Sequence, residues 1–151
     1  PVPFYAAYFT TKVADFNSEV VLKGSGAILA RIDEILAKGK NATKKEEDEM
    51  TVLEVAYEMY SRGYEFEPIN FGVSDGTKFY EHEGRVLLPF MAVSGIGETA
   101  AKALADECRI RPFETIEELK SRTRISNSNI ESLKAMGVLE GMPETDQLSM
   151  F

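Results

Sequence analysis

The chain contains Val93-Ser94-Gly95-Ile96-Gly97, followed directly by a run of helix formers over residues 98–107. Neither glycine has a Cβ, so both can adopt positive φ and both allow another backbone to come close. Their N–H groups, with the first unpaired N–H groups of the following helix, would form an anion-sized concavity at a positive helix end. Ile96 is expected to pack inward between the flanking helices. The pattern predicts a tight turn that joins two helices and faces an anion.

This arrangement is typical of a helix-hairpin-helix DNA-binding motif, which holds a phosphodiester without reading its base. The candidate phosphate-binding residues are Ser94, Gly95, Ile96 and Gly97, with Lys102 about one turn further along the helix. Small residues at positions 100, 101 and 103 would let this helix pack closely. The alternative is a purely structural turn, because a G-x-G pattern alone also suits an ordinary helix start.

The charge of the chain is unevenly distributed. The net charge is −8, which at first argues against nucleic acid. Residues 1–83 hold nine Lys or Arg and fifteen Asp or Glu, whereas residues 84–141 hold eight of each. One local basic cluster follows the hairpin, and it consists of Arg109, Arg111, Lys120, Arg122 and Arg124. We therefore expect weak, salt-dependent binding of double-stranded DNA by the second part of the chain.

A second helix–turn–helix is predicted after the Arg111-Pro112 break. Thr115 is a candidate cap for a helix over residues 116–121, and residues 125–129 open another helix that ends at Gly137. Ser126 and Asn127 stand where the first hairpin has glycines, so a phosphate contact there would use side chains as much as backbone. Helix capping explains these two residues about as well.

The first part of the chain is predicted to be helical. The apolar spacing over residues 26–38 indicates a helix that Gly39 ends, and Thr43 resembles the start of a capping box for a helix that runs to about residue 62. The aromatic run over residues 4–10 fits either a buried helix or a strand.

A change to alternating apolar residues follows Gly63. Residues 77–81 and 85–88, on either side of a turn at 82–84, predict a small β-hairpin. The fold class is therefore mainly α with a small β-hairpin, and the chain is expected to divide into parts at 1–83, 84–141 and 142–151.

The one cysteine and the one histidine of the chain do not indicate a catalytic or metal-binding site. Cys108, the one cysteine, is expected to be a buried structural thiol, and His82, the one histidine, lacks the convergent ligands of a metal site. No apolar run approaches the roughly eighteen residues of a membrane span. With no signal peptide visible, we expect a cytoplasmic protein that does not contact membranes. Because the chain begins without methionine, we expect it to be cut from a larger protein.

The last ten residues are too short to form a core and are expected to be a mobile tail. The tail carries apolar side chains that a solvated segment would rarely keep without a partner. A partner is therefore predicted for Leu148, Met150 and Phe151, which form the terminal pentapeptide together with Gln147 and Ser149. The alternative is a tail that packs back onto its own domain.

The hairpin and this terminal pentapeptide together resemble the C-terminal region of the PolC-type DNA polymerase III alpha subunit. The resemblance covers the whole chain: residues 4–10 look like the family's finger region, residues 88–97 like its hairpin, and residues 147–151 like its sliding-clamp-binding motif. The family usually has leucine where this chain has Met150 and proline where it has Ser94. Neither change removes a hairpin glycine.

The resemblance implies a template-directed nucleotidyltransferase that uses Mg²⁺ and carries a proofreading exonuclease. It also implies that the catalytic carboxylates and the exonuclease lie upstream, so this chain holds no catalytic residue, metal or cofactor of its own. Residues 1–83 would be a finger-subdomain remnant, residues 84–141 the duplex-binding domain, and residues 142–151 the tether to the sliding clamp.

Two other functions remain open from the residues alone. A stand-alone, non-enzymatic helix-hairpin-helix adaptor would explain the hairpin and leave the pentapeptide as coincidence. A helical interaction domain without a DNA role would explain only the acidic first part.

Overall fold

The computed structural model describes residues 1–145 and divides the chain into two compact units. The first unit comprises Pro1–Glu67 and Lys78–Leu87, and the second comprises Pro68–Thr77 together with the chain from Leu88 onward. The boundary predicted at residue 83 therefore differs from the division by contacts. The reason is strand pairing, because the hairpin strands after residue 78 join a strand of the first unit.

Four α-helices build the first unit: α1 (Val2–Thr11), α2 (Ser18–Leu22), α3 (Ser25–Lys38) and α4 (Lys44–Ser61). The aromatic run at the start, for which helix and strand were both open, is the helix α1. Tyr5 and Phe9 lie four residues apart on its buried face, and neither side chain is exposed. The Phe9 ring packs at 5.1 Å from Phe66 and at 5.5 Å from Phe16.

Local signals place α3 and α4 where the sequence predicted them. Helix α3 ends at Lys38 with Gly39 as its C-cap. Helix α4 begins after Thr43, whose side chain accepts from the Glu46 amide while the Glu46 carboxylate accepts from the Thr43 amide. This is the predicted capping box, and it satisfies two amides that the helix itself leaves unpaired.

A three-stranded sheet completes the first unit. The predicted hairpin is confirmed as β2 (Tyr80–His82) and β3 (Arg85–Leu87), which pair antiparallel with Glu81 opposite Val86. A third strand, β1 (Phe66–Glu67), pairs parallel to β3, so the order is β1-β3-β2. This non-local pairing explains why β3 belongs to the first unit.

The second unit contains α5 (Glu98–Ile110), α6 (Ile116–Arg122) and α7 (Asn127–Ala135). A 3₁₀ turn, Phe90–Ala92, stands before the first hairpin. Residues 68–77 hold this turn in place, because the Asp75 and Gly76 carbonyls accept from the amides of Phe90 and Met91. The mainly helical class with a small sheet is confirmed.

Residues 142–145 differ from the predicted mobile tail. The Ile116 amide donates to the Pro143 carbonyl at 2.9 Å, and the Glu117 amide donates to the Glu144 carbonyl at 2.9 Å. These two bonds fix the backbone of Pro143 and Glu144 against the start of α6, which corrects the expectation of a mobile tail for these two residues. The predicted motif at residues 147–151 lies outside the described residues.

Candidate nucleic-acid interface

The first hairpin has the turn that the sequence predicted, but its two glycines serve different purposes. Gly95 adopts φ +87°, a conformation that favours glycine. Gly97 has φ −80° and ψ 178°, which other residues also adopt, and it is the N-cap of α5. The turn therefore uses the conformational freedom of glycine at Gly95 and not at Gly97. Ile96 is 4% exposed and packs inward as expected.

The start of α5 leaves its amides unpaired. Gly97 has no side chain with which to cap the helix, and the first intrahelical bond runs from the Ala101 amide to the Gly97 carbonyl at 2.9 Å. Within residues 1–145 the amides of Glu98, Thr99 and Ala100 therefore have no acceptor. The surrounding surface is open, since Ser94, Gly95, Gly97, Glu98 and Thr99 are all exposed. Exposed amides at a helix N-terminus attract anions.

The second hairpin is partly capped. Ser126 is the N-cap of α7, and its Oγ accepts from the Asn129 amide at 3.1 Å. The capping interpretation of Ser126 is therefore confirmed. Asn127 and Ser128 are exposed, and among the described residues their amides have no acceptor. This start offers two free amides where α5 offers three.

Asn129 connects the two hairpins and was missed from the sequence. It is 8% exposed, and a Cβ built on Gly95 would lie 3.3 Å from its Oδ1. The close approach of this side chain is a second reason for glycine at position 95. One signal was available, because Asn129 stands four residues before the buried Leu133 and so shares the apolar face of α7.

Three of the predicted basic residues are exposed but already paired with carboxylates. Lys102 Nζ lies 2.7 Å from Glu98 Oε2. Arg109 lies 3.3 Å from both Asp75 and Asp106, and Arg111 lies 3.1 Å from Glu118. Exposed pairs of this kind are weak, so a phosphate could compete with the carboxylates for these cations.

Arg122 has a structural role, which corrects its assignment as a phosphate contact. Its guanidinium donates to the carboxylates of Glu107 and Glu118. It also donates to three carbonyl oxygens, and its charge lies 4.3 Å from the centre of the Phe113 ring. The side chain is 11% exposed. All five N–H donors of an arginine can be used by these partners, which leaves none for DNA.

The remaining two cations lie in different surroundings. Lys120 lines a surface depression of about 460 Å³ together with Glu117 and Glu144, so its neighbours are acidic. Arg124 is exposed on the loop that leads to the second hairpin, and within residues 1–145 it forms no ion pair. Arg124 is consequently the cation of the cluster that is best placed to add a phosphate contact.

The single cysteine is half-buried, less than the buried thiol that the sequence predicted, and the single histidine has a carboxylate partner. Burial raises the pKa of the Cys108 thiol to about 11, so it is protonated and unreactive at neutral pH. His82 Nδ1 lies 2.7 Å from a carboxylate oxygen of Glu67. Across the described part of the chain, no three His, Cys, Asp or Glu side chains come close enough to hold a metal ion. No helix among residues 1–145 is long and apolar enough to span a membrane.

Comparison with known proteins agrees with this geometry. A family model described as a helix-hairpin-helix motif matches residues 63–148. The whole chain is 48% identical to the "DNA polymerase III PolC-type" of Caldanaerobacter subterraneus subsp. tengcongensis, 11% of whose length it covers. It is 40% identical to that of Halalkalibacterium halodurans, covering 10%, and over 98% of the chain it is 38% identical to that of Bacillus subtilis, also covering 10%.

The chain spans about a tenth of the length of the curated relatives that it matches. The resemblance inferred from the hairpin and the pentapeptide is confirmed by these matches, which cover 98–100% of this chain. The chain therefore belongs to the helix-hairpin-helix family and corresponds to one segment of PolC-type DNA polymerase III.

Proposed function

We propose that this chain binds the backbone of double-stranded DNA as part of a replicative DNA polymerase. The observation that carries the proposal is the start of α5, where three unpaired amides lie beside an exposed, glycine-containing turn. Phosphate oxygens fit such donors, and amides carry no information about base identity. Binding should therefore be independent of sequence and should weaken with salt.

The activity of the whole polymerase belongs to the same proposal. Template-directed synthesis with Mg²⁺ and proofreading would be carried out by parts of the longer protein outside this segment. Residues 1–145 bring together no group of side chains that fits a metal ion, so the Mg²⁺ ligands would belong to those other parts. Since relatives with this segment are named as DNA polymerases, we also propose a cytoplasmic location beside the chromosome.

Binding to the sliding clamp is the second element of the proposal. Gln147 offers amide donors and a carbonyl, while Leu148, Met150 and Phe151 offer apolar side chains. Burying such a side chain contributes roughly 1.5–3 kcal/mol. Ordering the segment opposes part of this gain. The isolated motif is expected to bind at around micromolar strength, about −8 kcal/mol.

Duplex binding can be tested by fluorescence anisotropy of the full chain with short duplexes of unrelated sequence over a series of salt concentrations. The proposal predicts equal affinities and a negative slope of log affinity against log salt. A strong preference for one sequence would contradict phosphate recognition. No binding at low salt would instead favour a helical interaction domain without a DNA role.

The clamp contact can be tested with a deletion of residues 147–151. The deletion should abolish clamp binding while thermal stability and duplex affinity stay unchanged. A deleted chain that still binds the clamp would place the contact elsewhere. An intact chain that binds DNA and never binds the clamp would favour the stand-alone adaptor.

A further inference from the structure

The start of α6 is satisfied at every amide of its first turn. Ile116 and Glu117 donate to the carbonyls of Pro143 and Glu144, each at 2.9 Å. The third amide, of Glu118, donates to Thr115 Oγ1 at 2.9 Å. A side-chain cap normally satisfies only one such donor. Here the other two amides are paired by a segment some twenty-seven residues further along the chain.

An ion pair holds the same segment from the other side. Lys134 Nζ, on α7, lies 3.0 Å from Glu144 Oε1. Both side chains are partly exposed, so this pair alone is weak. Together with the two backbone bonds it connects residues 143–144 to two helices of the second unit, the same unit that carries both hairpins.

Glu144 stands close to the proposed clamp-binding motif along the sequence. Only Thr145 and Asp146 separate it from Gln147. A chain extends by at most about 3.6 Å per residue, so the three residue steps that follow Glu144 can span at most roughly 11 Å. A linker free from Gly141 onward would reach about twice as far.

We propose that docking of Pro143 and Glu144 on α6 fixes the point from which the clamp-binding motif leaves the DNA-binding unit. This inference rests on the proposed clamp contact and adds its geometry. A clamp bound at residues 147–151 must then lie beside the N-terminus of α6. The short linker raises the effective concentration of the motif at a clamp that encircles the bound duplex.

The first test lengthens the linker without touching the docked residues. Four residues, Gly-Ser-Gly-Ser, are inserted between Thr145 and Asp146, which takes the linker from two residues to six. Effective concentration falls as about the −3/2 power of length, so affinity for a clamp loaded on duplex should fall about fivefold. Affinity for free clamp and for free duplex should not change.

The second test loosens the docking. Glu144→Lys places two like charges together at Lys134, and Glu140→Lys is the matched control with the same charge change at an exposed residue. Hydrogen exchange should show protected Ile116 and Glu117 amides in the native chain and in the control, with faster exchange in Glu144→Lys. Affinity for loaded clamp should fall in Glu144→Lys relative to the control.

The outcomes separate the two proposals. The docking would be overturned if the Ile116 and Glu117 amides of the native chain were unprotected. It would also be overturned if the insertion left the affinity for loaded clamp unchanged. Neither result would contradict the clamp contact. A chain that binds neither free nor loaded clamp would overturn both.

Discussion

Helices α5 and α6 follow each other along the second unit, yet their N-termini differ in what satisfies the first amides. At α6, a threonine side chain and two carbonyl oxygens of residues 143–144 accept from three amides. At α5, the corresponding amides have no acceptor among the described residues. We call the first a closed start and the second an open start.

The difference shows how one type of element can have two uses. Every α-helix begins with unpaired amides, and water satisfies them at low cost when they are exposed. Glycine at the N-cap leaves them available to a ligand, whereas threonine at the same position occupies one of them. Helix α7 is intermediate, because Ser126 caps one amide and two remain. Within the second unit, the two helix starts with free amides are the two hairpins that we assign to DNA.

The largest effect is expected when a capping side chain is introduced at the open start of α5. Gly97→Asp should supply a capping carboxylate where φ is −80° and a built Cβ meets nothing within 4 Å. Thermal stability should stay level or rise, while duplex affinity should fall about tenfold or more because a negative charge occupies the phosphate position. Melting curves and anisotropy of the same preparation, with Gly97→Ala as control, measure both. A Gly97→Asp chain that kept its duplex affinity would refute the phosphate site.

Removing a single amide sharpens the comparison further. Glu98→Pro deletes the first free N–H of α5 at the position where proline is best tolerated, and the extended backbone of Gly97 suits a following proline. Duplex affinity should be about three- to tenfold lower than in Glu98→Ala, the control that also removes the carboxylate. Equal affinity of the two variants would mean that this amide does not contact DNA.

Two arginines of the basic cluster are expected to have different roles, one structural and one in DNA binding. Arg122→Ala removes the contacts that join α6 to the end of α5, so its melting temperature should fall by several degrees. Arg124→Ala should leave the melting temperature unchanged and flatten the log–log salt slope of duplex binding by about 0.9. An unchanged slope after Arg124→Ala would remove this residue from the interface.

The smallest effect is expected from acid at the start of α4, which a capping box closes and which lies outside the proposed DNA interface. At α4, hydrogen bonds from Lys38 and from the Thr43 amide lower the pKa of Glu46 to about 2. Because the folded pKa lies below the unfolded value of about 4.3, this stabilisation is present above that value and is lost as pH falls toward 2. Melting temperatures between pH 5 and pH 2.5 should fall more for the native chain than for Glu46→Gln. Parallel curves would show that the ionisation of Glu46 contributes nothing to stability over this pH range.

The sequence predicted what depends on near neighbours. The capping box at Thr43, the Gly39 stop and the hairpin over β2 and β3 each follow from residues a few positions apart, and all three are confirmed. The turn before α5 was also predictable, because its backbone and its buried isoleucine are contained in five residues.

Non-local contacts explain what the sequence missed. In the sequence, Arg122 is indistinguishable from the other cations of the basic cluster. In the structure, its partners include carbonyl oxygens of residues ten to fifteen positions away along the chain. The parallel pairing of β1 with β3 joins strands about twenty residues apart. Residues 143–144 have the composition of a free tail, and only the fold brings them to α6. Spacing rules carry no information on such pairings.

The most direct test of phosphate binding at the open start is a titration of amide resonances with a short duplex, observed by NMR for the full chain. We predict that the amides of Gly97, Glu98, Thr99 and Ala100 shift on adding DNA, equally for unrelated sequences, while those of Ile116 and Glu117 do not. Shifts at α6 without shifts at α5 would contradict the claim that the open helix start binds the phosphates.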